Sequence, residues 1–263
     1  MRAVLAIAKT TVGEAIRRRV LLVILLIALL LLAVAPGMNV LTARQSQTVL
    51  TSLILGVLQL SSAAIAVVLT VYMLPNEVER RTIYTILSKP VLRWQFLLGK
   101  YLGAIGALGL MMALMTGTMI LVFSMVQRGA STDLLTGLAR VPLMYFVQMC
   151  LLAAVAVFFS TFVQPVVNFF LSGGVYLVGT VLAPLFSTIS ENQNLDTITK
   201  AGATVIMWVV PNFAQYNVQN SVINQGSVIV SEQIYYAQMV VYGVVYIAIL
   251  LLAGMLIFDR REV

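Results

Sequence analysis

The sequence predicts an all-α membrane protein with six transmembrane helices. Its 263 residues are 61% hydrophobic and only 10% charged, whereas soluble domains usually carry about 25% charged residues. The mean hydropathy of +1.01 points the same way. Six apolar stretches are long enough to cross about 30 Å of hydrocarbon at about 1.5 Å per helical residue. A bilayer is therefore the solvent that this composition requires.

The six predicted spans contain no Asp, Glu, Lys or Arg in their central parts. The fourth and fifth are separated only by Gln164 and Pro165, and a tight hairpin is favoured over one long helix because proline ends or kinks a helix. Ala33-Val34-Ala35 resembles a signal-peptide cleavage site, but the apolar run is longer than a usual signal segment, so an uncleaved first span is favoured. The spans are predicted at Val20–Ala35 (an extension to Leu41 stays open), Leu53–Leu74, Tyr101–Val126, Val141–Val163, Val166–Phe186 and Ala237–Phe258.

The distribution of basic residues predicts the orientation. Six spans place both termini on the same side, and short cytoplasmic loops carry an excess of Lys and Arg. An inside N-terminus puts 12 of the 16 basic residues inside and leaves only Arg44, Arg128, Arg140 and Lys200 outside. This bias predicts that both termini lie in the cytoplasm, and the predicted location is a bacterial inner membrane. It also accounts for the net charge of +7 without a nucleic-acid partner.

Residues 1–19 are predicted to form an amphipathic helix that lies in the membrane interface, ahead of a transmembrane domain over residues 20–263. Apolar side chains recur there at helical spacing and charged side chains take the other side. The alternative is an ordinary cytoplasmic extension of the first span. The predicted apolar face is Val4, Leu5, Ala8, Val12, Ala15 and Ile16, and the predicted charged side is Lys9, Glu14, Arg17 and Arg18.

The outer loop, residues 187–236, is the longest segment outside the predicted spans. After the polar run Ser190–Asn194 comes the apolar stretch Ala201–Val210, which ends at Pro211. This stretch is too short to span a bilayer and predicts a re-entrant or outer helix before the sixth span. The following residues, Asn212–Ser231, are rich in Asn and Gln and suit an ordered external cap.

No catalytic, cofactor-binding or metal site is predicted. The chain has no histidine and one cysteine, Cys150, which disfavours a metal centre built by this chain alone. Gly99-Lys100 is followed by Tyr101 and lacks the upstream glycine of a phosphate loop, and a G-x-S-x-G nucleophile elbow is absent. Uncharged polar groups in the spans favour helix–helix contacts over proton-coupled transport: Gln59, Ser61, Ser62, Gln148, Ser160, Thr161 and Asn168.

The inside loop, residues 75–100, carries both signs of charge and predicts a cytoplasmic docking helix. Asn76 can cap this helix, Glu77 and Arg81 are four residues apart in the favourable order, and Lys89-Pro90 ends it. A second short helix is predicted over Leu92–Lys100. The alternative is a solvated loop that only sets topology, but such a loop needs only basic residues.

This loop resembles the signature of ABC-2 type permeases, the membrane subunits of ABC transporters, and especially their NosY-like branch. The resemblance extends to the layout of the whole chain and is specific over residues 76–100. Arg81 stands where the family usually has glycine. The matching residues are Glu77, Glu79, Thr82, Ile83, Ile86, Leu87, Ser88, Pro90, Val91, Arg93, Phe96, Gly99 and Lys100.

The resemblance implies that two such subunits pair in the bilayer and that each engages a separate ATP-binding subunit, which holds the ATP and Mg. The interfacial helix and the 76–88 helix would then receive the motion of the ATPases, and export is the preferred direction. The implied ATPase-coupling residues are Glu77, Glu79, Arg80, Arg81, Thr82, Ile83, Ile86, Leu87, Pro90 and Arg93.

Two other classes of function stay open on the sequence alone. One is a membrane scaffold or force-transmitting component, driven by a partner ATPase without transport of a substrate. The other is a membrane-embedded enzyme or channel. Missing catalytic groups disfavour an enzyme, and a channel would leave the mixed-charge inside loop without a role.

Overall fold

The computed structural model describes residues 2–37, 46–73, 92–126, 132–191, 197–218 and 232–260, and these ranges contain helices and connecting turns but no strand. Their α-helices, in chain order, are α1 (Arg2–Arg17), α2 (Arg19–Val34), α3 (Ser46–Val71), α4 (Arg93–Val126), α5 (Thr132–Ser160), α6 (Pro165–Leu177), α7 (Ala183–Glu191), α8 (Thr197–Val209) and α9 (Glu232–Arg260). A π-helical turn, Val178–Leu182, joins α6 to α7, and a 3-10 turn, Ala214–Tyr216, follows α8.

The prediction of six spans is confirmed. Six helices are long and apolar enough to cross a membrane, and each overlaps one predicted span: Arg19–Gly37, Val49–Val71, Arg93–Met125, Leu138–Ser160, Pro165–Leu182 and Gln233–Asp259. The chain is therefore an all-helical, multi-pass membrane protein.

The fourth span is the centre of the bundle. Its helix, α5, contacts α3, α4, α6 and α9, and 78% of the span is buried, compared with 17% for the fifth and the sixth. The fifth and sixth spans consequently turn most of their apolar surface away from the chain, toward lipid or another subunit.

The predicted hairpin between the fourth and fifth spans is confirmed. α5 ends at Ser160 and α6 begins at Pro165, a residue that suits the first helical position because its missing N–H needs no partner there. The Asn168 side chain reaches back across the turn, where Nδ2 donates to the Ala156 carbonyl at 3.0 Å. Ser172 Oγ donates to Asn168 Oδ1 at 2.8 Å, so this buried amide is well satisfied.

The short helix predicted over Leu92–Lys100 is not a separate element. Residues 93–100 form the first two turns of α4, which continues through Tyr101 without a break to Val126. With 34 residues, α4 is about 51 Å long at 1.5 Å per residue, well beyond a bilayer core of about 30 Å. No proline interrupts this stretch, and Gly99, Gly103 and Gly106 pack against α1 instead of ending the helix.

The predicted outer helix before the sixth span is present as α8, which ends two residues before Pro211. α7 continues the fifth span beyond its predicted end and packs against α8. The re-entrant or interfacial position of α8 stays a prediction.

Candidate coupling site at the basic end of the bundle

One end of the bundle, which we call the basic end, gathers a group of basic side chains. The first, third and fifth spans begin there and the others end there, because each crossing reverses the chain. α1, the start of α4 and the end of α9 meet at this end. The basic residues that the structure describes there include Arg17, Arg18, Arg19, Arg93 and Lys100.

α1 lies directly on a glycine face of α4, and we call this contact the α1–α4 seam. A Cβ on Gly99 would lie 2.9 Å from the Cβ of Ile7, and a Cβ on Gly103 would lie 2.5 Å from the Cβ of Thr11 and 2.7 Å from the Ala8 carbonyl oxygen. Glycines four residues apart allow two helix backbones to approach this closely. The contacts advance together along both helices, so α1 and α4 run in the same direction at the seam.

The face of α1 that packs against the bundle is rotated relative to the prediction. Val4, Thr11 and Ala15 are buried, whereas Leu5 is 67% exposed and Ile16 is 39% exposed. Thr11 tolerates burial because its hydroxyl donates to the carbonyl four residues earlier, at 2.8 Å. Small side chains are what the close glycine seam admits, so the larger apolar residues of the predicted face point elsewhere.

Lys100 is buried at the seam and forms an ion pair with Glu14 of α1. Nζ lies 3.5 Å from Glu14 Oε2, and the side chains are 4% and 57% exposed, respectively. Nζ also lies 6.0 Å from the ring centroid of Phe96, at the limit of a cation–π contact. A buried ammonium group needs partners to offset its lost hydration. The pair therefore ties α1 to α4 while it compensates the lysine charge.

Arg93 joins the start of α4 to the end of α9. Its Nη1 donates to the carbonyl oxygens of Phe258 and Asp259 at 3.1 and 3.2 Å. The last carbonyls of a helix have no partner within the helix, and a cation there also complements the helix dipole. Phe96 stacks on Phe258 one turn along, with ring centroids 6.4 Å apart. The third and sixth spans are thus joined at the basic end.

Of the predicted coupling residues, the structure describes Arg93 alone. α3 ends at Val71, the structure describes the chain to Met73 and again from Leu92, and both of these points lie at the basic end. The docking helix predicted in the intervening segment, residues 74–91, stays a prediction. The residues outside the described ranges are Glu77, Glu79, Arg80, Arg81, Thr82, Ile83, Ile86, Leu87 and Pro90.

The α1–α4 seam was not predicted from the sequence. Gly99 and Gly103 are a small-residue pair at a spacing of four, a pattern that marks close helix packing in membranes. Glu14 is the only acidic residue of the N-terminal segment, and Lys100 lies at the edge of an apolar run. These signals are visible in the sequence, but the sequence does not show which residue each of them contacts.

A buried polar network crosses the bundle through Gln59 and Gln148, which together with Asn168 are three of the predicted polar residues that serve as helix–helix contacts. Gln59 Nε2 of α3 donates to Gln148 Oε1 of α5 at 3.3 Å. Gln148 Nε2 donates to the Phe213 carbonyl at 3.0 Å. By contrast, the hydroxyls of Ser62, Ser160 and Thr161 bond to carbonyls three residues earlier in their own segments.

The far end of this network is a plug segment, residues 210–218, that enters the bundle from the end opposite α1. Phe213 and Tyr216 are fully buried. A Cβ on Gly179 would lie 2.4 Å from the Pro211 carbonyl oxygen, so the π-helical turn leaves room for the plug backbone only because residue 179 is glycine. Irregular backbone is tolerated at membrane depth only when protein or water surrounds it. The described part of the predicted cap is therefore an inserted segment.

Tyrosines hold the plug segment against α9. The hydroxyls of Tyr235 and Tyr246 donate to backbone carbonyls of the plug and of the end of α8, at 2.7 and 2.8 Å. The Tyr242 hydroxyl accepts a plug N–H at 3.2 Å, and the Tyr216 hydroxyl donates to the Met239 carbonyl at 2.9 Å.

Six apolar helices, a helical seam at the basic end and an inserted plug at the other end define a polytopic membrane subunit. The model of the family described as ABC-2 family transporter protein matches residues 5–263. The chain therefore belongs to the ABC-2 family of transporter proteins, which confirms the resemblance to ABC-2 permeases noted in the sequence. Membership implies association with ATP-binding ABC subunits. No curated protein matches the chain.

Proposed function

We propose that this chain is the permease subunit of an ATP-driven exporter in a bacterial inner membrane, with both termini in the cytoplasm. It pairs with a second permease subunit and with two separate ATP-binding subunits, which supply ATP and Mg. Family membership over residues 5–263 supports the permease role. The NosY-like branch is the subgroup that the 76–100 signature favours.

The main support for this proposal is the close packing of the helices to which the predicted docking helix is connected. The 74–91 segment leads directly into α4, and α4 is clamped to α1 by the glycine seam and to α9 by Arg93. A force applied to the docking helix or to α1 therefore reaches the third and sixth spans together. Closely packed helices transmit such a displacement because they are stiff and their interfaces favour discrete arrangements.

The same helices connect the basic end to the plug segment. α4 and α9 both pack against α5, and α5 holds the plug through Gln148. α9 holds the plug through its tyrosines. The ATP-binding subunits can shift the bundle between two packings only if they contact it differently in each packing. The joined helices α1, α4 and α9 would move together as one unit between these packings. The plug would then open and close the outer side of the substrate path.

Surface for the second permease subunit is available on the outermost spans. Only 17% of the fifth span and of the sixth span is buried within the chain. Large apolar side chains on the fifth span remain outside the bundle, including Phe170, which is 71% exposed. Membrane helices associate through packing of such faces and not through a hydrophobic drive from lipid.

Co-purification with an ATPase tests the proposal. We expect the tagged full-length chain, extracted from its own membrane, to bring down a protein with a phosphate loop. The double reversal Glu79→Lys with Arg81→Glu should release that ATPase because it inverts the predicted docking charges while keeping the net charge. Glu191→Lys with Lys200→Glu is a matched control in the predicted outer loop and should retain the ATPase.

Three outcomes would contradict the proposal or redirect it. If the control variant loses the ATPase and the docking variant keeps it, the ATPase contacts the predicted outer loop and not the 74–91 segment. Movement of substrate by the chain without any ATPase would exclude an ABC permease. ATP hydrolysis by the reconstituted complex without movement of any substrate would favour the force-transmitting alternative.

A further inference from the structure

A cavity at the basic end lies between the first, second and fifth spans. Its volume is about 650 Å³, within the range of about 300–1,000 Å³ typical of small-molecule sites. Two of its lining residues are arginines, and most of the others are apolar. The lining residues are Arg18, Arg19, Val20, Leu21, Val68, Tyr72, Val166 and Phe169.

The break between α1 and α2 brings two arginines into the lining of this cavity. Arg18 has an extended backbone (φ −73°, ψ 113°) between the two helices, and Arg19 is the first residue of α2. Neither side chain forms an ion pair with a residue that the structure describes. Two adjacent guanidinium groups match the geometry of a phosphodiester, to which arginine donates in bidentate fashion. The Tyr72 hydroxyl adds a further possible donor.

The apolar lining residues suit hydrocarbon. Val20 and Val166 are each 61% exposed, and Phe169 is 42% exposed, so these apolar side chains are accessible from outside the bundle. Leu21, which also lines the cavity, is fully buried. A free inorganic anion would use the arginines but would gain nothing from these apolar side chains. A molecule with a charged head and acyl chains uses both.

We propose that this cavity binds a phospholipid of net negative charge from the leaflet at the basic end, with its phosphodiester at Arg18 and Arg19 and its acyl chains along Val20, Val166 and Phe169. A zwitterionic lipid carries the same phosphodiester but brings a cation that two arginines repel. Selectivity for net negative charge is therefore the property that separates this site from a general lipid contact. Lipid binding here does not require the ATP-binding partner.

Native mass spectrometry of the purified full-length chain tests the site with defined lipids. We expect phosphatidylglycerol to be retained in preference to phosphatidylcholine with the same acyl chains. Arg18→Gln with Arg19→Gln should weaken phosphatidylglycerol binding about 30-fold, since each basic residue near a membrane contributes about fivefold. Arg2→Gln with Arg17→Gln removes the same charge from α1 residues that do not line the cavity and should change binding less than about threefold.

A second variant covers the case in which the double arginine variant does not fold. Val166→Trp fills the cavity but keeps both arginines, and it should weaken phosphatidylglycerol binding to a similar extent. Equal binding of the two lipids, equal losses in the two double variants, or normal binding by Val166→Trp would each overturn the proposal. Displacement of the lipid by millimolar glycerol phosphate would show an anion site without lipid specificity, which also overturns it.

Discussion

At the scale of single residues, the basic end depends on positions where a side chain is absent or where one group bonds two elements. Gly103 is the tightest point of the α1–α4 seam because a Cβ would meet backbone as well as side chain on α1. Arg93 spans the ends of two helices with one guanidinium group. We therefore expect both positions to be sensitive to substitution.

Gly103→Ala is expected to destabilise the protein. The new methyl group would lie 2.7 Å from the Ala8 carbonyl oxygen, which cannot move without displacing α1, and such overpacking costs about 1–3 kcal/mol. Gly117→Ala is the matched control, because nothing lies within 4 Å of a Cβ there. The control should be neutral or stabilising by up to about 1 kcal/mol from helix propensity. Thermal unfolding in detergent measures both, and equal effects would argue against the seam.

Arg93→Gln is expected to fray the end of α9. The variant removes a charged donor from two terminal carbonyls, and hydrogen bonds to charged groups contribute about 1.5–3 kcal/mol. Hydrogen exchange should accelerate in the last turn of α9 and stay unchanged in the middle of that helix. Arg17→Gln, an exposed residue of α1, serves as the control. Unchanged exchange at the end of α9 would show that the clamp contributes nothing.

At the scale of elements, α4 and α5 have different structural roles in the bundle. α4 is long enough to extend past the hydrocarbon core and to receive α1 along its first turns. α5 is the buried hub, and Gln148 near its middle joins α3 to the plug segment. The two helices thus connect opposite ends of the molecule through ordinary packing and a few hydrogen bonds.

Gln148→Leu should destabilise the plug segment more than Gln59→Leu does. Without Gln148 the buried Phe213 carbonyl loses the hydrogen bond from that side chain, and an unsatisfied buried group costs about 1–3 kcal/mol. Without Gln59 the bond from Gln148 to Phe213 remains. Protease accessibility of the plug segment and thermal unfolding should rank the two variants in this order. The reverse order would mean that the α3–α5 bond dominates.

At the scale of the whole molecule, the distribution of charge and the arrangement of spans together imply a defined orientation. The basic end carries α1, Arg93 and Lys100, and Met73 and Leu92 lie there as well. Basic residues accumulate on the cytoplasmic side of membrane proteins. The same end must face the cytoplasm if an ATP-binding subunit is to rest on it.

Cysteine labelling in intact cells should confirm this orientation. Cys150 is buried, and Cys150→Ala provides a background for single cysteines. Glu191→Cys, at the end of α7, should react with a membrane-impermeant maleimide added from outside. Glu79→Cys should react only after the membrane is opened. Labelling of position 79 in intact cells would reverse the topology and remove the basis of the proposed function.

The sequence by itself determined the solvent, the number of spans and their approximate limits. Composition and apolar length suffice for that, since a bilayer imposes a minimum length on each helix and excludes charge from its centre. Pro165 was enough to separate the fourth and fifth spans. The signature over residues 76–100 was also enough to identify the family.

Only the tertiary structure decided which helices meet. The rotated face of α1, the pairing of Lys100 with Glu14 and the insertion of the plug segment depend on residues far apart in the chain. In a bilayer, apolar side chains gain nothing by leaving lipid, so hydropathy does not select the neighbours of a helix. Close packing at glycines and a few satisfied polar groups make that selection, and these become visible only when both partners are in place.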